Sequence, residues 1–249
     1  MFCPFCATKH GYFKRKELGG KWVICCESNR HLCVNCRQWF QVKQTVIHES
    51  DYPSPKEILE TISDPNNGWD YAAEDQEPYL QRDRAGTALV YLGALRISEM
   101  LRINTSQFNY DHENYIEIKQ VKLSKRAPTS RLARFREVIL PIPKDMIQRD
   151  LPRFVLSEMV LDQAKRVGGN GIFFPNMDRS PGKALRTFRA YQIISKLTGK
   201  YCHYFRGAGE NFLYEAWDYD GYAVADYLKV DPRTLATYLH GGYKRHGAV

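Results

Sequence analysis

The spacing of apolar residues predicts helices over most of the chain after about residue 80. In "RDRAGTALVYLGALRISEMLRI", from Arg82 to Ile103, apolar residues recur at the spacing of a helix packed into a core. We expect this segment to turn near Gly93. The second half of the chain also has the spacing of helices, with breaks at "GGNG", "SPGK" and "HGG".

Other segments follow a different pattern. "NYIEIKQVKLS" and "FREVILPIP" alternate apolar and polar residues, which predicts a β-hairpin with a long tip. "SPKEILETI" predicts one short helix, with Ser54 as N-cap, Pro55 as first residue and Glu57 as capping-box acid. In the first ~45 residues, the turn "LGG" and runs such as "KWVIC" predict small β-hairpins.

Composition and charge narrow the class of protein. The 249 residues are 43% hydrophobic, as in a soluble globular protein with one substantial domain and a small one. Because we find neither an apolar run near the ~20 residues of a membrane span nor a signal peptide, we expect a cytoplasmic protein without a membrane partner. The net charge of +8 is uneven: residues 1–50 carry +5, residues 51–118 carry −8 and residues 119–136 carry +7. Two basic patches favour a polyanionic partner.

The N-terminal cysteines predict a structural Zn²⁺ site. Cys3 and Cys6 form one C-x-x-C pair and Cys33 and Cys36 another, with 26 residues between the pairs. Each pair can offer two thiolates to a tetrahedral Zn²⁺, which a module this small needs for stability. The alternative ligands are His10, Cys25, Cys26 and His31, and the alternative chemistry is a redox dithiol or a disulfide. Neighbouring bases and aromatics make the module a candidate DNA clamp, with protein docking as the alternative.

Two distant arginines are candidates for binding one phosphodiester. His203 and Arg206 lie one helical turn apart in "YCHYFRGAGENFL", and Arg96 shares a helix face with Glu99 in "ALRISEML". Both arginines could donate charge-assisted hydrogen bonds to the non-bridging oxygens. Tyr238, 32 residues after Arg206, is a candidate nucleophile. Taken singly, each residue has an ordinary explanation: Arg96 and Glu99 as a helical ion pair, His203 as a core histidine and Tyr238 as an ordinary tyrosine. Their joint pattern favours a catalytic site.

From about Pro78 to the C-terminus, the order and spacing of these motifs resemble the tyrosine recombinase superfamily of phage-type integrases, Xer-like resolvases and related transposases. The resemblance implies that Tyr238 attacks a phosphodiester held by Arg96 and Arg206, which gives a 3′-phosphotyrosyl link and a 5′-hydroxyl. It implies that His203 assists proton transfer and that Lys122 in "YIEIKQVK" is the general acid, with Lys125 as the alternative. Tyr243 is a rival nucleophile, beyond the expected end of the helix.

The resemblance also implies an architecture and partners. The expected fold is mainly α with a small β-hairpin sheet, the catalytic fold of the family, preceded by a small β zinc-ribbon module. We expect a zinc ribbon over residues 1–47, an acidic linker with one short helix over 48–78 and a catalytic domain over 79–249. The implied partner is double-stranded DNA, as a recombination site or element ends, bound by a dimer or tetramer at the nucleoid. Neither ATP nor a catalytic metal is expected.

The sequence departs from the family at two places. Nine residues before the tyrosine the family usually has histidine or tryptophan, whereas this chain has Lys229, which can still donate to a phosphate oxygen. The zinc ribbon stands where most relatives have a helical clamp, as expected for a compact mobile-element transposase or integrase of archaeal type. The alternatives are a type IB topoisomerase, an inactive DNA-binding regulator and a zinc-ribbon transcription factor with an unrelated helical domain.

Overall fold

The computed structural model describes most of the chain after residue 51 and the backbone of four short strands before it. The described residues are 15–18, 21–24, 30–32, 39–41, 52–69, 71, 76–122, 135–142, 151–177, 181–216, 220–232, 235 and 239. The helices of this part are α1 (Pro55–Ser63), α2 (Gln76–Leu92), α3 (Ile97–Met100), α4 (Pro152–Val167), α5 (Thr187–Thr198), α6 (Cys202–Ala216) and α7 (Gly221–Leu228). Within this part, no helix has the length and apolar character needed to cross a membrane.

Four short strands precede the helices. β1 (Arg15–Leu18) pairs with β2 (Lys21–Ile24), and β3 (Arg30–Leu32) pairs with β4 (Trp39–Gln41), both antiparallel. These pairs agree with the small hairpins predicted from the sequence. The predicted zinc ligands Cys3, Cys6, Cys33 and Cys36 lie outside the described residues, so the zinc site stays a prediction.

Helix α1 begins as the sequence predicts and packs into the main core. The Ser54 hydroxyl accepts the Glu57 N–H, and the Glu57 carboxylate accepts the Ser54 N–H at 2.7 Å, which completes a capping box. Ile58 and Ile62 of this helix are fully buried in the cluster that α2 also enters. The helix expected within the linker therefore contributes to the packed body.

Helix α2 confirms the predicted core helix and ends at a tight turn. The N–H of Ala94 donates to the Tyr91 carbonyl and the N–H of Leu95 to the Val90 carbonyl, the bond pattern of a Schellman cap. Ala94 adopts φ 45°, a left-handed conformation that L residues other than glycine rarely take. This cap ends α2, and Arg96 follows as the N-cap residue of α3.

A three-stranded antiparallel sheet has the order β5–β6–β7, where β5 is Phe108–Asn109, β6 is Tyr115–Lys122 and β7 is Phe135–Pro141. Strands β6 and β7 confirm the predicted hairpin, whereas β5 was not predicted. The tip of the β6–β7 hairpin lies outside the described residues. A bulge separates Ile118 from Val121, where Gln120 takes φ 52°.

Both faces of the sheet are covered. One face packs against the helical body, where the sheet contributes Ile116, Ile118, Val121, Val138 and Leu140. A second cluster combines sheet residues with α7 and with described residues beyond it. Its buried members are Ala94, Tyr115, Ile139, Leu213, Val224, Ala225, Leu228, Val230, Leu235 and Leu239. Ala94 in the turn before Arg96 thus belongs to one packed cluster with the described residues Val230, Leu235 and Leu239 that follow α7.

Candidate active site

A close helix contact brings the two predicted arginines together. Gly209 on α6 faces the end of α2, and a Cβ there would overlap the Tyr91 carbonyl oxygen and lie 3.3 Å from the Ala94 Cα. Only glycine allows the two backbones to approach so closely. Arg206 lies one helical turn before Gly209, so this contact places its guanidinium beside the turn that carries Arg96.

Glu99 joins three arginines. Its carboxylate accepts the Arg96 backbone N–H at 2.9 Å and pairs with Arg96 Nη1 at 2.9 Å. Nη1 of Arg206 and Nη2 of Arg136 each lie 3.9 Å from Oε2 of the same carboxylate. We call Arg96, Glu99, Arg136, Arg206 and Glu210 the arginine cluster.

Glu210 fixes the guanidinium of Arg206 from its own helix. Nε and Nη2 of Arg206 both lie 2.7 Å from Glu210 Oε1, across one turn of α6. Both side chains are buried, whereas the side chain of Arg96 keeps 16% of its surface exposed. Arg96 therefore forms the solvent-accessible rim of the cluster, and Arg206 forms its fixed interior.

The charges of the cluster suit an anionic ligand. Burial acts to raise the pKa of Glu99, but Arg136, Arg206 and Arg96 outweigh it, and the net pKa is lowered. Glu99 is therefore ionised at neutral pH. Burial raises the pKa of Glu210, and the charge of Arg206 acts against this shift. The three arginines outnumber the two carboxylates of the cluster, so the cluster carries net positive charge, which suits an anionic phosphodiester.

His203 lies beside the cluster on the first turn of α6. Its ring centroid is 6.3 Å from that of Tyr191. Burial lowers the pKa of His203, and the positive charges of Arg206 and Arg96 lower it further. The imidazole is therefore neutral at pH 7 and can accept a proton. The structure thus brings Arg96, His203 and Arg206 close together.

The remaining predicted residues lie elsewhere or are not described. Lys122 is exposed at the end of β6, opposite Phe135, and the described contacts of the cluster do not include it. Lys229 follows α7 in a left-handed conformation and pairs with Asp226 at 3.0 Å. The candidate nucleophile Tyr238 lies outside the described residues, as do the alternatives Lys125 and Tyr243.

Sequence reasoning missed two members of the cluster. Arg136 is 4% exposed and shares the buried face of β7 with Val138 and Leu140. A charged residue in phase with apolar residues on a strand was the signal. Glu210 follows Arg206 by four residues in a helix, the spacing of an ion pair.

Among the described residues, no group of three or more His, Cys, Asp or Glu side chains is placed to hold a metal ion. The basic groups of the arginine cluster are suited to an anion and not to a cation.

The fold resembles that of a site-specific recombinase of known structure, and this likeness agrees with the expected mainly α fold with a small β sheet. One is XerH site-specific recombinase in a post-cleavage complex with palindromic difH substrate, with TM-score 0.52, 17% identity, and coverage of 77% of this chain and 49% of that chain. Another is the XerH pre-cleavage complex with difH substrate, with TM-score 0.50, 16% identity, and coverage of 80% and 52%. The chain spans about half the length of these structures. No family model and no curated protein matches the sequence.

Proposed function

We propose that this protein is a tyrosine recombinase that cleaves and rejoins double-stranded DNA through a covalent 3′-phosphotyrosyl intermediate. The observation that carries the proposal is the convergence of Arg96 and Arg206 on Glu99, within a fold shared with a site-specific recombinase. Guanidinium groups in a partly buried site are suited to a phosphodiester, because they donate planar, charge-assisted hydrogen bonds.

In the proposed reaction, Arg96 and Arg206 bind the non-bridging oxygens and neutralise charge that builds on the phosphorus. The Tyr238 oxygen attacks phosphorus, the P–O5′ bond breaks, and the 3′-phosphotyrosyl link retains the bond energy for rejoining. The tyrosine loses its proton to a nearby base, for which neutral His203 is the candidate. A hairpin lysine, Lys122 or Lys125, protonates the leaving 5′ oxygen.

Two described residues close to Tyr238 in the sequence, Leu235 and Leu239, support its role. Leu235 and Leu239 are buried in the cluster that also contains Ala94, two residues before Arg96. A methyl group at Gly221, the first residue of α7, would lie 3.8 Å from Leu239. Leu235 and Leu239 thus belong to the same packed cluster as Ala94 in the turn before Arg96.

The biological setting is part of the same proposal. We infer a mobile-element integrase or transposase in which a zinc ribbon, held by Cys3, Cys6, Cys33 and Cys36, grips DNA, and in which a dimer or tetramer assembles on the element ends. The basic stretches at residues 1–50 and 119–136 support DNA as the partner, because each carries a net positive charge of five or more.

Covalent trapping tests the proposal. The protein is mixed with partly randomised duplexes that carry a nick, so that loss of a short 5′-hydroxyl fragment traps the intermediate on a denaturing gel. We expect an adduct with the wild type and with the control Tyr243→Phe, and none with Tyr238→Phe. DNA binding on a native gel without any adduct would contradict strand cleavage and favour the regulator. Transfer of the strand to a second duplex separates a recombinase from a topoisomerase.

A further inference from the structure

Arg136 lies at the junction of three elements of the site. It comes from β7, is buried, and its Nη2 donates to the carbonyls of Gly93 at 2.6 Å and Ala94 at 3.2 Å. These are the carbonyls of the tight turn between α2 and α3. The same nitrogen lies 3.9 Å from Glu99, which holds the Arg96 guanidinium.

The turn that Arg136 contacts needs support. Ala94 holds φ 45° without being glycine, a conformation that persists only where surrounding contacts impose it. Two residues later the chain reaches Arg96, whose backbone N–H and guanidinium both bind Glu99. A change in this turn would therefore displace Arg96 together with the carboxylate that orients it.

Arg136 also faces the helix that leads to Tyr238. Its guanidinium carbon lies 5.8 Å from the centroid of the Tyr227 ring on α7. The Tyr227 hydroxyl in turn accepts the Ile139 N–H of β7 at 3.3 Å. Arg136 therefore contacts the turn before Arg96 on one side and α7 on the other.

Arg136 has more hydrogen-bonding capacity than a purely structural contact uses. Within the described residues, its Nε and Nη1 are buried without a hydrogen-bond partner, as is Nη1 of Arg206. Buried, unpaired donors are rare and costly, and they favour a nearby negative charge. Arg136 thus adds positive charge beside Arg96 and Arg206, the two arginines proposed to bind the phosphodiester.

We propose that Arg136 is a positioning residue: it holds the turn of Gly93 and Ala94 in its strained conformation, and so fixes Arg96 relative to Arg206 and α7. This positioning concerns the turn itself, whereas its effect on strand cleavage rests on the proposed function. Arg136 corresponds to none of the residues that the recombinase resemblance implies as catalytic.

Amide hydrogen exchange of the full chain tests the positioning without any activity. In Arg136→Gln, we expect exchange of the Ala94 and Leu95 amides to rise about ten-fold, as for loss of one to two hydrogen bonds. The Gly199 amide, which caps α5 by donating to Ser195, should not change. Arg136→Lys should raise exchange at the same two amides by less. A uniform rise that includes Gly199, or no rise at all, would overturn the proposal.

A matched control separates this role from general stabilisation. Arg84 also donates to a backbone carbonyl, that of Ile62 at 2.9 Å, but at the end of α1. Arg84→Gln should leave exchange at Ala94 and Leu95 at the wild-type level. If Arg136→Gln does not fold, Arg136→Lys carries the test alone: a selective rise at the two amides supports the proposal, and its absence refutes it.

Single-turnover cleavage of nicked duplexes gives the second readout. A positioning role predicts that Arg136→Lys lowers the rate constant of adduct formation by about ten- to a hundred-fold, since small misplacement of a catalytic group has such effects. The final adduct amount and the DNA affinity should not change. A merely structural role would lower the amount of adduct and leave the rate constant unchanged.

The two proposals fail in different ways. A wild type that forms no adduct contradicts the proposed function, and hydrogen exchange then decides the role of Arg136 at the turn. A wild type that forms the adduct, with variants that match its rate constant, contradicts the role of Arg136 and leaves the proposed function intact.

Discussion

The contact between α6 and the end of α2 can be tested by adding one methyl group. In Gly209→Ala, the new Cβ would overlap the Tyr91 carbonyl oxygen, which is backbone and cannot rotate away. The two helices must then separate at the point where they bring Arg206 beside Arg96. We expect a loss of stability together with weaker alignment of the two arginines.

The size of the effect follows from two opposing contributions. An extra methyl in a packed core costs about 1–3 kcal/mol, and the upper end applies because the obstacle is backbone. Replacing glycine by alanine within a helix stabilises the helix by about 1 kcal/mol. The free energy of unfolding should therefore fall by about 2 kcal/mol. For a protein of this size, the loss corresponds to a drop in Tm of roughly 4–8 °C.

Urea unfolding of a graded series measures this loss. In Gly207→Ala the Cβ would meet the Tyr52 ring at 2.9 Å, and the partly buried ring can move, so we expect a smaller loss. In Gly221→Ala the nearest atoms are 3.7 Å away, so we expect no loss. The slope of the unfolding free energy against urea should be the same in all variants.

The ranking decides the outcome. If Gly209→Ala is as stable as Gly221→Ala, the backbones of α2 and α6 do not approach as described, and the placement of Arg206 beside Arg96 loses its basis.

Two further outcomes follow from the charges and the cysteines. In an NMR titration, His203 should show a pKa below its ordinary value of 6.5, and Arg96→Gln should raise it by removing one positive charge. Because the pKa of His203 is lower in the folded state, His203 contributes stability above pH ~6.5, and this stability is lost as the pH falls through its folded-state pKa. A wild-type pKa of 6.5 or higher would contradict this expectation. The purified protein should contain about one Zn²⁺ per chain, lost on joint replacement of Cys3 and Cys33 by serine but retained in Cys202→Ser. Metal content that is unchanged by the joint replacement would contradict the zinc ribbon.

Local signals made much of the fold predictable. The capping residues Ser54 and Glu57 determine where α1 begins, and the strand alternation determines the β6–β7 hairpin. These features depend on neighbours within a few residues. The burial of α1 was not predictable, because its acidic, proline-flanked sequence gives no sign that Ile58 and Ile62 enter the main core.

Part of the candidate site was predictable for the same reason. His203 and Arg206 share one helical turn, and Arg96 and Glu99 share another. What joins the two turns is the close contact at Gly209, a long-range feature that one sequence cannot reveal. Arg136 was missed, although its alternation with Val138 placed it on the buried face.

The bulge at Gln120 changes the phase of strand β6. Side chains three apart point to opposite faces of a regular strand, because the strand period is two. The extra residue cancels this difference, so Lys119 and Lys122 both project outward while Val121 turns to the core. Exposed lysines therefore flank the bulge on one face of the sheet. Lys119 pairs with Glu117 at 3.6 Å, and Lys122 lies exposed at the end of β6, where the basic sequence of residues 119–136 continues.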